Sequence, residues 1–210
     1  MPRLRAGDYD AKAQAILDSA AVLFAKVGYP SAKMQDIAQA CGATKSMLYH
    51  YFPTKDELLF AMLQDHLEKV IAGVEEARTM PGSAEDRFNA LVVFYVKKSA
   101  QSRRRHTIAQ NDVKYLPKAM QVPLITLQRR LCDLIAEQIN PLNPGLPAAS
   151  YKPYAMLLIG MLNGTDVWFK PGGQMKMPEL CERISRLFLR GFASESARPA
   201  SPVTGANPAS

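Results

Sequence analysis

Among the hydrogen-bond donors of residues 31–55, nine stand out as a set: Ser31, Lys33, Gln35, Thr44, Lys45, Ser46, Tyr49, Tyr51 and Lys55. No nucleophile stands beside a base among them, so group transfer is not the chemistry they suggest. Hydroxyls, an amide and ammonium groups suit nucleic acid, where phosphate contacts fix register and base contacts read sequence. Lys45 is the candidate donor to guanine N7 and O6. Thr44 can offer its hydroxyl, or the amides of a helix it begins, to a phosphate. The competing reading makes Lys45 and Lys55 ordinary solvated lysines and Tyr49 half-buried packing. Charge favours DNA only locally. Lys26, Lys33, Lys45 and Lys55 face a single acid, Asp36, between residues 26 and 55. The whole of residues 1–60 carries seven Lys or Arg against six acids, and the net +7 is spread along the chain.

Two further sets of residues could bind. Phe88, Phe94, Tyr95, Asn111, Tyr115, Leu131, Asn163, Val167 and Trp168 offer apolar walls and two amides, the make-up of a small-molecule pocket. Asn111 and Asn163 can equally cap helices, since a buried amide needs only some partner. Arg103, Arg104 and Arg105 could meet phosphates, or sit in water at a helix end and complement its dipole. Catalysis has little support. His50, His66 and His106 are scattered without metal-ligand spacing, and His66 falls on an apolar stripe. Asp112 near His106 is a weak pair with a structural reading. Cys41, Cys132 and Cys181 form no CxxC, so neither a disulfide framework nor a zinc site is expected and a reducing cytosol is. No catalytic residue, metal ligand or cofactor is assigned.

The first set is positioned by residues 34–52, which read as two short helices and a tight turn. Ile37 and Ala38 lie on the inner side of the first helix, and Ala38 lets a second helix approach. Gly42 stands where the chain must turn with φ > 0, cheap only without a Cβ. Thr44 is a hydroxyl N-cap, and Leu48 points back at Ile37. Apolar, small, glycine, apolar is the order of a helix-turn-helix whose second helix enters the major groove. Ahead of it, residues 1–9 read as a basic arm, and Asp10 caps a helix to Val27 that Gly28 ends. Ser31 is expected to begin the next helix. Pro53 stops the recognition helix at Phe52, and Thr54 with Glu57 forms a capping box.

Beyond it the chain is helical throughout. A long helix runs to about residue 80, with Leu58, Leu59, Met62, Leu63, His66, Val70 and Val74 in one stripe. Ser83 begins another, apolar on every side at residues 91–96 and so expected to be central. It breaks at the arginines, and a short helix at about 106–115 follows. Residues 117–139 form an amphipathic helix, 150–169 a strongly apolar one, and 179–193 the last. No signal peptide is read at the N-terminus, and no apolar run is long enough to span a bilayer. Residues 195–210 are rich in Pro, Ala and Ser and read as a disordered tail. The fold class is all-α, with about nine helices.

Residues 25–29, 34–42 and 45–59 resemble the TetR family of one-component transcriptional regulators. The resemblance implies a DNA-binding domain over residues 10–56 and a larger helical domain over 57–194 for an effector and for dimerisation. It implies that Tyr49 donates to a phosphate while its ring packs on the duplex edge, and that Lys55 is the family's phosphate-binding lysine. Two positions depart from the family pattern. Ala32 stands where Thr or Ser is usual, which shifts the cap to Ser31 and the phosphate contact to Lys33. Gln35 stands where Arg or Lys is usual. Residues 106–117 and 160–173 look like TetR members that sense acyl-CoA thioesters, phenylacetyl-CoA-type repressors among them.

A recognition helix this short needs a two-fold partner. Gly160 and Gly164 permit close helix approach, and Leu180, Ile184, Leu187 and Phe188 would complete a four-helix interface; packing of these faces within one chain is the alternative. The expected function is a cytoplasmic, homodimeric repressor on a pseudo-palindromic operator, released by a small effector such as an aromatic or fatty acyl-CoA. An activator of the same fold, and a ligand-binding helical protein with a vestigial DNA motif, are the rivals.

Overall fold

The computed structural model describes residues 6–170 and 172–196. Residues 1–5 of the expected arm and 197–210 of the expected tail lie outside them. Nine α-helices and two short 3-10 turns, with no strand, make up the described residues. They are α1 (Ala6–Val27), α2 (Met34–Ala40), α3 (Lys45–Tyr51), α4 (Lys55–Thr79), α5 (Ala84–Gln101), α6 (Arg103–Asn111), α7 (Lys118–Ile139), α8 (Ala148–Trp168) and α9 (Met177–Ser194).

Side-chain caps set the starts of α3, α4 and α5. Thr54 accepts from the Glu57 amide at 3.1 Å while Glu57 accepts from the Thr54 amide at 3.2 Å, so two donors that α4 would strand are satisfied. Ser83 and Asp86 make the same box for α5. Several boundaries differ from the sequence reading; among them, α6 spans Arg103–Asn111 instead of about 106–115. The first helix begins at Ala6, ahead of Asp10. The second begins at Met34, not Ser31, because the Ala32 amide is turned back onto the Gly28 and Tyr29 carbonyls.

Two apolar cores form. The N-terminal one joins Ile16, Phe24, Ile37 and Leu48 to Leu58, Leu59, Met62 and Leu63 of α4, and takes in Ile108 of α6, Leu124 of α7 and Leu116 from the connection between them. The second joins the far half of α4 to α5, α7, α8 and α9. α4 therefore belongs to both cores, and the expected division at residue 57 falls at its start rather than at a seam in the packing. α6 also touches both parts: Ile108 is buried in the first core, while His106 faces the second.

Candidate DNA-binding face and effector pocket

α2 closes with a pair of backbone bonds: Ala43 donates to the Ala38 carbonyl at 2.9 Å and Gly42 to Gln39 at 3.2 Å. This Schellman closure needs a left-handed residue at Gly42, whose φ is +65°. The turn sets α3 against α2 with Leu48, Ile37 and Ala38 buried between them. Thr44 caps α3 by accepting from the Met47 amide at 3.1 Å. Burying Leu48 on one side leaves Lys45, Ser46 and Tyr49 exposed on the other. The Lys45 ammonium lies 5.9 Å from the Tyr49 ring centroid, so the two side chains share one face. Lys33, Gln35 and Thr44 are exposed too.

Three candidates for DNA contact are placed otherwise. The Lys55 ammonium donates to the carbonyls of Tyr29, Ala32 and Pro30 at 2.9, 3.0 and 3.2 Å and sits 4.5 Å from the Tyr29 ring centroid. All three of its protons are engaged. It fastens the α1–α2 connection instead of offering charge to a phosphate. Asp56 helps by accepting from the Tyr29 hydroxyl; burial, then that bond, raises the phenol's pKa above its ordinary value. Tyr51 stacks on Tyr9 of α1 at 4.4 Å between centroids, which takes its ring out of the exposed set. Ser31 is exposed but caps nothing; Lys33 is the residue before α2, and no side chain caps that helix. Ala32 is buried, so the hydroxyl missing there is replaced by packing.

The candidate pocket lies where α4, α5, α6, α7 and α8 meet, a cavity of about 180 Å³. Leu67, Val70, Ala109, Leu131 and Ile159 wall it, with Tyr95, His66, His106 and Asn163 as polar groups and Gln110 and Gln128 beside them. A cavity of about 150 Å³ holds a benzene ring. The Tyr95 hydroxyl is 2.9 Å from Asn163 Oδ1, and His106 Nε2 is 3.0 Å from the same atom. A buried hydroxyl needs an acceptor, and Tyr95 has no other among the described residues, so that atom is the amide oxygen. His106 then carries its proton on Nε2, and His66 Nε2–H donates to His106 Nδ1 at 3.1 Å. Both rings stay neutral. Burial, then His106, Lys98 and Arg105, lower His66 to about 3. Burial lowers His106 as well, against the opposing pull of Asp166 and Asn163. Burial raises Tyr95, and the Asp166 charge adds to it.

Of the nine pocket candidates, Tyr95, Leu131 and Asn163 are brought together here. Phe88 is buried against Phe188 instead, ring centroids 5.3 Å apart. The Phe94 ring covers Gly73, where any Cβ would fall 2.0 Å from it. Asn111 is exposed and donates to its own helix at the Thr107 carbonyl, the capping alternative. Tyr115 stacks on Tyr29 in the N-terminal half. Val167 and Trp168 point to solvent. Sequence reasoning missed the other lining residues, His66 and His106 above all, which bring the polar groups of the pocket into one network. Asp166, 3.7 Å from His106 Nε2, is its acidic neighbour rather than Asp112. No group of three or more His, Cys, Asp or Glu among the described residues could hold a metal ion.

The expected interface residues divide. Leu180, Ile184 and Phe188 are buried within the chain, the intramolecular alternative. Leu187 is 68% exposed, and α8 shows Met156, Leu157, Met161, Val167 and Trp168 on its outer side, with open space over Gly160 and Gly164. Those positions recur at helical spacing, so they form one stripe. No helix among the described residues is long and apolar enough to cross a membrane.

Comparison with known proteins follows the same division. The family model described as bacterial regulatory proteins, tetR family, matches residues 16–62. That described as tetracyclin repressor-like, C-terminal domain, matches residues 81–192. A solved TetR-family transcriptional regulator from Bordetella parapertussis 12822 is 31% identical, with a TM-score of 0.79 over 89% of this chain and 98% of that one. The HTH-type transcriptional activator FasR of Mycolicibacterium smegmatis is 33% identical over 113 residues, 53% of this chain and 52% of its own length. The structure of AibR in complex with isovaleryl coenzyme A and operator DNA is alike in fold, with a TM-score of 0.74 at 22% identity over 84% of this chain and 97% of that one.

Proposed function

The chain belongs to the tetR family of bacterial regulatory proteins, and on that premise we propose a cytoplasmic, dimeric repressor that leaves a pseudo-palindromic operator when a small effector binds. The observation that carries this is the face of α3. Lys45, Ser46 and Tyr49 stand exposed beside the Thr44 cap because Leu48 is fully buried behind them. Lys45 is placed to read a base edge, and Tyr49 and Thr44 to hold phosphate; Lys33 and Gln35 flank them from the α2 end. The dimer surface in this reading is the α8 stripe with Leu187, which moves Val167 and Trp168 from the pocket to the interface.

The effector is an acyl thioester of coenzyme A with a short or aromatic acyl group. The pocket supports this by its size, its apolar walls and the Asn163 amide nitrogen, which has no partner among the described residues and suits a carbonyl oxygen. AibR, whose fold this chain shares, was solved with such a thioester. Repression follows if the effector favours an arrangement that no longer fits DNA. FasR supports a second reading, an activator on the same scaffold.

Fluorescence anisotropy on an operator obtained by selection tests the site. Lys45→Ala is expected to cost about 1–3 kcal/mol and to relax preference at one base. Tyr49→Ala weakens all sequences alike. Unchanged binding in both variants contradicts the assignment.

A further inference from the structure

A second cavity, unused in the reading above, lies between α1, α4 and the corner where α5 meets α6. It encloses about 620 Å³, within the span of ordinary ligand sites of about 300–1,000 Å³. Lys69, Lys98, Arg103, Arg104 and Arg105 line it against a single lining acid, Asp18. The cations act on one another: burial, then Lys69, holds the Lys98 ammonium below its usual pKa, with Arg105 adding to the effect against Asp65. No side chain caps the start of α6, which opens at this corner.

Arg105 gives the cleft its second feature. Its side chain is only 8% exposed. Nη1 reaches Asp65 of α4 at 2.6 Å and Nη2 reaches Asp18 of α1 at 2.8 Å. Its Nε is buried with no partner. A guanidinium presents five donors, and a buried one left unpaired is costly. Of the two acids, Asp65 is 25% exposed and Asp18 is 65% exposed. Asp18 is therefore the weaker hold, since water competes for it. Because α1 is part of the N-terminal core, this bond ties the DNA-binding half to α6. His66 lines both this cleft and the effector pocket, so the two adjoin at its ring.

We propose that the cleft is a phosphate site for the diphosphate-bearing part of the effector, and that a seated phosphate takes Arg105 from Asp18 and so loosens α1 from α6. The proposal rests on the reading of the adjoining cavity as the effector pocket. A phosphate attracts Arg105 and repels Asp18, so both forces favour the separated arrangement. By linkage, whatever weakens the Arg105–Asp18 bond must tighten phosphate binding and weaken operator binding together.

Calorimetry on the full chain with ADP, free coenzyme A and inorganic pyrophosphate, none of which carries an acyl group, tests this. Wild type is expected to bind ADP and coenzyme A, and Lys98→Gln and Arg104→Gln each to weaken that binding about tenfold. Asp18→Asn, a change at an exposed side chain, is expected to bind ADP several-fold tighter and the operator several-fold more weakly. A merely structural Asp18 would not move the two affinities in opposite directions. The proposal is overturned if no probe binds, if the lysine and arginine variants match wild type, or if Asp18→Asn leaves ADP affinity unchanged. Should short acyl-CoA thioesters release the operator while ADP and coenzyme A fail to bind, the pocket stands and the phosphate site falls. Should ADP and coenzyme A bind as expected while no thioester binds tighter than coenzyme A, the phosphate site stands and the pocket falls.

Discussion

Lys55 shows how neighbours decide what a side chain does. Its spacing from the recognition helix suits a phosphate, yet three carbonyls hold its ammonium inside the N-terminal half. Those carbonyls belong to Tyr29, Pro30 and Ala32, more than twenty residues earlier, and no local pattern announces them. Lys55→Ala should therefore lower unfolding stability by about 1–3 kcal/mol, the cost of partners left unmade. Urea denaturation reads it, and an unchanged midpoint with lost operator affinity would return Lys55 to the DNA. His66 is the other residue whose role depends on distance in sequence. It meets His106 and is held neutral to about pH 3. Its pKa when unfolded is about 6.5, so below that value the unfolded chain binds the extra proton and stability falls as pH drops. A loss of about 2 kcal/mol is expected between pH 7 and pH 5, with His106 shifted in the same direction. His66→Gln should flatten that dependence in thermal melts at the two pH values; an equally steep fall in the variant would assign the loss elsewhere.

At the scale of elements, the helix-turn-helix was legible because its signals are local. Gly42 takes the positive φ that its place requires, Thr44 caps, and Leu48 is buried against Ile37. The capping boxes at Thr54 and Ser83 were legible for the same reason. α6 was not. Three adjacent arginines read as a helix end, yet they begin a helix, and Arg105 is buried between two carboxylates contributed by α1 and α4. α8 misled differently. It is apolar nearly all round, so hydrophobicity could not tell Val167 and Trp168, which face out, from Leu158 and Leu162, which face in. Its outer stripe carries the dimer proposal. Leu157→Glu puts a charge on that stripe without touching the core, since Leu157 is 64% exposed. Sedimentation should then show a monomer of 23.2 kDa where wild type shows twice that mass. A variant that sediments as a dimer would move the interface off this face.

The whole molecule is two cores sharing α4, with α6 touching both. The all-α class and the order of its helices could be read from periodicity and punctuation. The pocket could be read only in part: Tyr95, Leu131 and Asn163 were foreseen, but the histidines come from α6 and α4, His106 lying 57 residues before Asn163 and His66 another 40 before that. Coupling between effector and DNA belongs to this scale, since α4, α6 and α7 line the pocket and also reach the N-terminal core. The central claim is that two such molecules read DNA together through α3. Selection from random duplexes by the purified full-length protein tests it most directly. The account predicts enrichment of a two-fold-related sequence whose half-sites lie about 10 bp, or a multiple of that, apart from centre to centre, with enrichment lost in Tyr49→Ala. A pool that stays random through the rounds, or an enriched site without two-fold symmetry, would contradict it.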